Sequence, residues 1–587
     1  MINFREKANF IWSVADLLRG DYKQAEYGKI ILPLTVLRRL DCLLEPTKEA
    51  VLAQYTKFQD QSEEVIDRML NRTAAYKFHN RSNYTFQKLV ADPDNVAANL
   101  RAYLNGFSTS VRDIMEQFRF DEQIERLDRA DLLYLVIKRF SEIDLVSVDS
   151  LGMGYIFEEL IRKFAEISNE TAGEHFTPRE VIELMVNLMF IDETDIYKKG
   201  AIRTLYDPTA GTGGMLSVAD AFIKNQNPDA TLLLFGQEIN PESYAICKSD
   251  MLIKGQEPGN IREGDTLKDD HHANETFNYM LSNPPFGVDW KKSEKLVKAE
   301  HEKKGFAGRF GLGLPRINDG SLLFLMHMIA KMKSPQDGGT RIGIVLNGSP
   351  LFTGGAGSGE SDIRQWIIEN DMLEAIVALP DQLFYNTGIS TYIWIVTNHK
   401  TKPRRGKVQL INGTGFFQKM TRSLGNKRNE ISPTQIKEIT RLYGGFQEGE
   451  FVKIYPNTSF GYSRITIEHA LRDANGKPVP KKGKKATPLF ADKNTPAYEA
   501  DTSLRDAENV PLLEDIQAYF EREVLPHAPD RDAGTCWIDH SKTKVGYEVN
   551  FTKYFYQYKP LRSLADIRAD ILALEAETDS LIKQVVY

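Results

Sequence analysis

Four consecutive residues carry the sharpest chemical signal in the chain: Asn283, Pro284, Pro285 and Phe286, directly after the apolar run Tyr279–Leu281. The exocyclic amine of a nucleobase is planar and a poor nucleophile, because its lone pair is delocalised into the ring. An asparagine side-chain oxygen and the Pro284 carbonyl could each accept one of its N–H bonds. That would draw the nitrogen towards tetrahedral geometry and free the lone pair for attack. Pro284 removes a backbone donor and fixes its own φ. Phe286 could stack on a base swung out of a helix. Taken alone, Asn-Pro is equally an ordinary strand-ending turn.

Three further signals accompany it. Asp207-Pro208-Thr209-Ala210-Gly211-Thr212-Gly213-Gly214 follows the run ending at Tyr206 and precedes a helical pattern from Met215. Glycines after a strand let the backbone approach a ligand closely at a helix N-terminus. The spacing is neither the GxGxxG of dinucleotide binding nor a P-loop, since no GK[ST] follows. Glu238 closes the next apolar run, LLLFGQE, where an acid can take both hydroxyls of a ribose. Asp265, in REGDTL after Ile261, ends another expected strand and could accept the amino group of an adenine. All four signals fall at strand ends, in chain order.

The elements that must position them are legible as texture. From about 150 to 415, short apolar runs alternate with helical patterns: Arg203–Tyr206, Leu232–Gly236, Tyr279–Ser282, Ile342–Leu346, Glu374–Leu379 and Tyr392–Val396. That alternation predicts a Rossmann-like, doubly wound α/β domain, with its site at the carboxyl ends of the strands. Residues 1–145 read as a helical domain. Phe10, Val14, Leu17 and Leu18 share one face, and Leu34, Leu37 and Leu40 continue an apolar periodicity after Pro33. A C-terminal extension spans 416–560, with a Pro-, Lys- and Gly-rich tether near 476–501. In 561–587, Leu564, Ile567, Ile571, Leu574, Thr578, Leu581 and Val585 form a heptad seam with one polar position. Such a helix could dock on a partner helix or pack on its own chain.

Together these motifs resemble the S-adenosylmethionine-dependent amino-methyltransferases of DNA. Gly173–Arg179 (GEHFTPR) resembles the segment that closes over the methionine part of the cofactor. Its place before the glycine turn, with NPPF following, is the order of the gamma-type adenine methylases. More closely, the chain is similar to the modification subunit, HsdM, of type I restriction–modification systems. The phrases that carry this are DPTAGTGGML, LSNPPFG, LFTGGAGSGESDIRQWIIENDMLEAIVALPDQLFYNTGISTYIWIV and GYEVNFTKYFY. The resemblance covers nearly the whole chain.

The resemblance implies cofactor contacts at Glu174, His175, Phe176, Thr177, Pro178 and Arg179, and at Thr209, Ala210, Gly211 and Glu238. Asp207 would face the methionine amino group and Asp265 the adenine, while Asn283, Pro284, Pro285 and Phe286 would hold the target base. His175 stands where an aromatic is often found. The implied activity is site-specific N6-methylation of adenine in DNA, protecting host DNA from cleavage. The implied partners are DNA, a specificity subunit shared by two copies of this chain, and a restriction subunit that cleaves unmodified DNA. Amino-methylation of a protein glutamine or of RNA would use the same NPP chemistry, and a non-catalytic assembly subunit could keep the fold.

Composition narrows the setting. The 587 residues are 42% hydrophobic and 26% charged, the balance of an ordinary globular protein, and the net charge is −7. Phosphate neutralisation supplies most DNA affinity, so an acidic chain acting on DNA needs a local basic surface, a partner, or both. Lys291, Lys292, Lys295, Lys298, Lys303, Lys304 and Arg309 offer such a surface, but Glu294, Glu300 and Glu302 dilute it. The stretch reads as a DNA-facing segment that orders on binding or as a solvated loop. No basic helix-turn-helix appears between 416 and 560, which leaves sequence reading to the specificity subunit. Cleavage is left to the restriction subunit by the lack of a P-loop. Gly354–Gly359 reads as a flexible loop. Cys42, Cys247 and Cys536 lie too far apart for a disulfide scaffold or zinc cluster, and His271-His272 lacks companions at metal spacing, so no metal is assigned. No apolar run approaches the ~20 residues of a membrane span, and the start MINFREKANFIW lacks a secretory pattern. The expected location is the cytoplasm.

Overall fold

From Phe4 to Ser141 the chain is a succession of helices, and their apolar faces meet in one buried cluster that includes Val14, Leu18, Leu34, Leu37 and Leu40. The structure, a computed structural model, describes residues 4–168, 177–385, 387–481, 498–528, 535–556 and 563–586. These residues fall into two compact units, Met1–Val549 and Asn550–Tyr587.

The apolar periodicity around Pro33 belongs to one helix, which runs through the proline from Gly28 to Leu44. An interior proline costs a helix about 3 kcal/mol. Burying Ile30, Ile31, Leu34, Leu37 and Leu40, at roughly 1.5–3 kcal/mol each, outweighs that cost. Arg38 in this helix is buried and ion-paired with Asp41 at 2.9 Å, and it donates to the Ile143 carbonyl at 2.9 Å. The helical cluster also takes in Ala245, Ile246 and Leu252 of the helix Pro241–Ile253, which joins it to the α/β layer.

The α/β layer is built on nine strands: β1 (Ile202–Asp207), β2 (Thr231–Glu238), β3 (Ile261–Glu263), β4 (Tyr279–Ser282), β5 (Arg341–Asn347), β6 (Leu373–Ala378), β7 (Thr391–Thr397), β8 (Lys407–Asn412) and β11 (Val452–Pro456). Their order across the sheet is β11-β8-β6-β7-β5-β4-β1-β2-β3. Strands β3, β2, β1, β4 and β5 are parallel, whereas β7 is antiparallel to both β5 and β6. All six apolar runs singled out in the sequence are strands. The sheet also runs past residue 415, because β11 pairs with β8 at its far edge. β9 (Gln418–Leu424) and β10 (Lys427–Glu430) form a separate hairpin. β12 (Gly461–His469), β13 (Asp506–Pro511), β14 (Cys536–Ile538) and β15 (Lys544–Tyr547) form a second, antiparallel sheet.

The glycine stretch Gly354–Gly359 is anchored by a buried arginine. Arg364 donates to the carbonyls of Pro350, Thr353, Gly354 and Tyr547 at 2.6–3.1 Å. The tether expected near 476–501 lies largely outside the described residues. In the second unit the heptad segment forms the helix Leu564–Val586, with Leu564, Ile567, Ile571 and Leu574 exposed. Among the described residues no helix is long and apolar enough to cross a membrane.

Candidate active site

The connections from β1 to β2 to β3 run one way along the sheet, and β4 and β5 lie on the other side of β1. Such a switch opens a crevice at the carboxyl ends of the central strands. Parallel pairing then brings four sequence signals to one edge. Asp207 ends β1 and Glu238 ends β2, Asp265 lies two residues beyond β3, and Asn283 follows β4 directly. All four line a single cavity of about 350 Å³, within the range of small-molecule sites.

The glycine turn and β2 are locked together. The Gly211 N–H donates to Glu238 Oε2 at 2.8 Å, and the Asn240 N–H donates to Oε1 at 2.7 Å. Ala210 donates to the Gln237 carbonyl at 3.0 Å. Gly236 permits this approach, since a Cβ there would lie 3.0 Å from the Ala210 methyl. Gly211 and Gly213 both adopt positive φ, +54° and +83°, which favours glycine.

Asp207 is buried and accepts from the Thr209 N–H at 2.9 Å and the Thr209 hydroxyl at 3.3 Å. The same hydroxyl meets Ser282 Oγ at 2.8 Å, tying the β1 turn to the end of β4. Burial pushes the Asp207 carboxyl up to about 7; the Thr209 N–H opposes the rise and the Glu238 charge adds to it. Asp265 accepts from the Leu267 N–H at 3.0 Å and from the Ser293 hydroxyl at 3.3 Å, with Lys268 Nζ at 3.4 Å.

Asn283 differs from these acids. Its Oδ1 is buried and has no hydrogen-bond partner among the described residues. A buried amide oxygen without a donor costs about 1–3 kcal/mol. Here the atom belongs to a residue that lines the cavity, where a ligand N–H can satisfy it.

Of the remaining sequence candidates, Thr177, Thr209, Ala210, Gly211 and Pro285 line the cavity. Pro284 is buried, and Phe286 packs edge-on against Phe384 with ring centroids 5.4 Å apart; neither lines it. Pro178 caps the helix Arg179–Phe190. Arg179 donates to Glu158 at 3.0 Å and lies over the Tyr155 ring at 4.5 Å, lining a smaller cavity that it shares with Gly154 and Thr212. Glu174, His175 and Phe176 lie outside the described residues. The paired histidines diverge: His272 is a core residue, its Nε2 3.2 Å from the Gly236 carbonyl, and His271 pairs with Asp269 at 3.2 Å.

Several lining residues escaped the sequence reading: Glu158, Ile239, Trp290, Ser293 and Phe324. Ile239 had a usable signal, an apolar residue directly after the ribose acid and 60% exposed, a flat surface for a ring. Trp290 had another, as an aromatic at the head of a lysine-rich stretch.

This arrangement defines an α/β domain that gathers three strand-end carboxylates and an unpartnered asparagine oxygen around one cavity. Known proteins share its parts. The N-6 DNA methylase family model matches residues 148–464, and an HsdM N-terminal domain model matches residues 7–140. The type I restriction enzyme MjaIX methylase subunit of Methanocaldococcus jannaschii is 26% identical, over 76% of this chain and 78% of its own length. The type I restriction enzyme EcoKI methylase subunit of Escherichia coli is 26% identical over 55% of this chain and 59% of its own. The crystal structure of the type I restriction–modification methyltransferase subunit from Streptococcus thermophilus shares the fold. It covers 78% of this chain and 97% of its own, with a TM-score of 0.61 and 24% identity. The chain belongs to the N-6 DNA methylase family, as a methylase subunit of the type I restriction–modification kind.

Proposed function

We propose that this chain binds S-adenosylmethionine in the strand-end cavity and methylates the N6 amino group of an adenine flipped out of DNA. The unpartnered Oδ1 of Asn283, on the wall shared with Asp207, Glu238 and Asp265, is the observation that carries the reading. The lining suits the group. Glu238, held by two backbone N–H bonds, offers its carboxylate to the ribose hydroxyls. Asp265 accepts from the adenine amine, and Ile239 and Leu267 offer apolar surface to the ring. Asp207 takes the cationic amino group, losing the proton that burial lets it keep near neutral pH. When bound, the cofactor supplies a methyl group already activated on a positively charged sulfur, so no metal is called for.

The base side then does two things. Asn283 Oδ1 and the Pro284 carbonyl accept the two N–H bonds of the target amine, so the nitrogen lone pair is aimed rather than delocalised. Positioning and hydrogen-bonded charge stabilisation supply the rate, with no covalent enzyme intermediate. Phe286 supports the flipped base.

In this reading the chain acts in the cytoplasm within a type I complex. Two copies share one specificity subunit, which reads the DNA sequence, and a restriction subunit cuts unmodified DNA. The exposed apolar seam Leu564, Ile567, Ile571 and Leu574 supports a helix-to-helix contact with the specificity subunit. The test is methyl transfer to unmethylated genomic DNA by this chain alone and with a co-expressed specificity subunit, with nucleosides identified by mass spectrometry. N6-methyladenine from the mixture only is the expected result. Methylated cytosine, or no methylated base in either sample, would overturn the reading.

A further inference from the structure

The lysine-rich stretch after the catalytic loop is folded. Trp290 closes it at the base: its backbone N–H donates to the Ile317 carbonyl at 3.0 Å, and its indole N–H to the Arg316 carbonyl at 2.9 Å. Between those points lies the helix Glu294–Lys304, seated by buried Val297. Phe310 is buried as well, and its carbonyl meets His301 Nδ1 at 2.6 Å. Arg309 fastens the lobe to the cofactor side, donating to the carbonyls of Thr266 at 2.6 Å and Leu267 at 3.1 Å. Trp290, Lys292 and Ser293 line the same cavity as Asn283, so the lobe starts at the mouth of the site.

Pairing leaves its net charge unchanged but sorts the charges that stay unpaired. Glu294 is paired with Lys298 at 2.6 Å, and Glu300 with Arg309 at 2.8 Å. Two of the three acids that dilute the stretch are therefore paired within it, each with one of its own cations. Lys291, Lys292, Lys295, Lys303 and Lys304 remain exposed, against Glu302. Phe306, 76% exposed, sits among them between Gly305 and Gly308. Unpaired lysines beside an open aromatic, at the mouth of a site for a flipped base, match what a nucleic-acid backbone and an unstacked base require. An acidic chain needs such a local basic patch, or a partner, to hold phosphate.

We propose that the lobe Lys291–Arg309 is a DNA-contact surface, its lysines on phosphates flanking the target adenine and Phe306 against the neighbouring bases. The proposal rests on the DNA-methyltransferase reading and adds where on this chain the duplex lies. It is tested with the K295A/K303A/K304A variant, in complex with the specificity subunit, because none of these three residues lines the cavity. DNA affinity is measured across a salt series, and S-adenosylmethionine binding by calorimetry. Each lost phosphate contact lowers the slope of log K against log salt by about 0.9. The expected result is a slope reduced by about 2 to 3, unchanged cofactor affinity, and recovery of the slope in the matching triple arginine variant. An unchanged slope with intact methylation overturns the lobe proposal alone. Absence of DNA methylation by the wild-type complex overturns the functional reading and the lobe proposal with it. Phe306→Ala gives a second readout, a changed fluorescence of 2-aminopurine placed beside the target position; an unchanged signal removes Phe306 from the contact.

Discussion

The two halves of the cavity are built on opposite terms. On the cofactor side each acid already has backbone donors: Glu238 from Gly211 and Asn240, Asp207 from Thr209, Asp265 from Leu267. On the base side, Asn283 Oδ1 is buried with nothing to accept from among the described residues. On the proposed reading, the cofactor half is already tied to the backbone before a ligand arrives. The base half holds an unmet hydrogen bond that, on the same reading, a substrate amine satisfies. It raises the rate to the extent that the bond strengthens as the attacking nitrogen gains positive charge.

The largest effect that could break this division is in Asn283→Ala. Removing one preorganised hydrogen-bonding group at a reacting centre typically costs about 10²–10³ in rate. Single-turnover methyl transfer should fall by at least that factor, and a loss below tenfold would place the chemistry elsewhere. Glu238→Gln should act on the other half. A carboxylate accepts from both ribose hydroxyls and an amide oxygen from one, and about 1.5–3 kcal/mol is at stake for a charged acceptor. That converts to a cofactor Kd roughly 10- to 100-fold weaker, with the rate at saturating cofactor little changed.

Asp207 adds a pH signature. Its carboxyl keeps a proton up to about pH 7, so below that pH a cationic amine must displace the proton to bind. Cofactor affinity should fall about tenfold per unit as the pH drops below 7 and level off above it until the amine itself loses its proton at about pH 8, and Asp207→Asn should remove the acid-side fall. In the free protein the same raised carboxyl favours the fold at low pH, and that contribution is lost as the pH rises through 7. The smallest expected effect is structural. Gly213→Ala would place a methyl 2.8 Å from Cys247 Sγ at a φ of +83°, costing about 1–2 kcal/mol of stability in a denaturant titration.

Much of this was readable from residue types because parallel strands at the centre of an α/β sheet are buried on both faces. Their runs stand out as apolar, and the site follows at their ends. Tyr279–Ser282 and NPPF are the clearest instance. Strand direction was not readable: Thr391–Thr397 has the same texture whichever way it runs, and only its pairing shows it antiparallel. Nor were the edge and extension strands, such as Asp506–Pro511, which is half polar because it packs on one face. The missed lining residues came from long-range folding. Glu158 arrives from the helix Ser150–Ser168, and Trp290 and Ser293 from a segment whose composition reads as solvated loop. How the charges of that segment pair was not readable either, since pairing between Glu300 and Arg309 depends on a turn that composition does not reveal.

The most direct measurement is the cofactor Kd of the Asn283→Ala complex, determined by calorimetry without DNA beside the wild type. If cofactor holding and base holding are separate, the two values agree within about threefold while transfer is lost, since a threefold change is under 1 kcal/mol. A Kd weakened thirtyfold or more would mean that Asn283 is part of the cofactor site, and the division drawn between the two halves would fail.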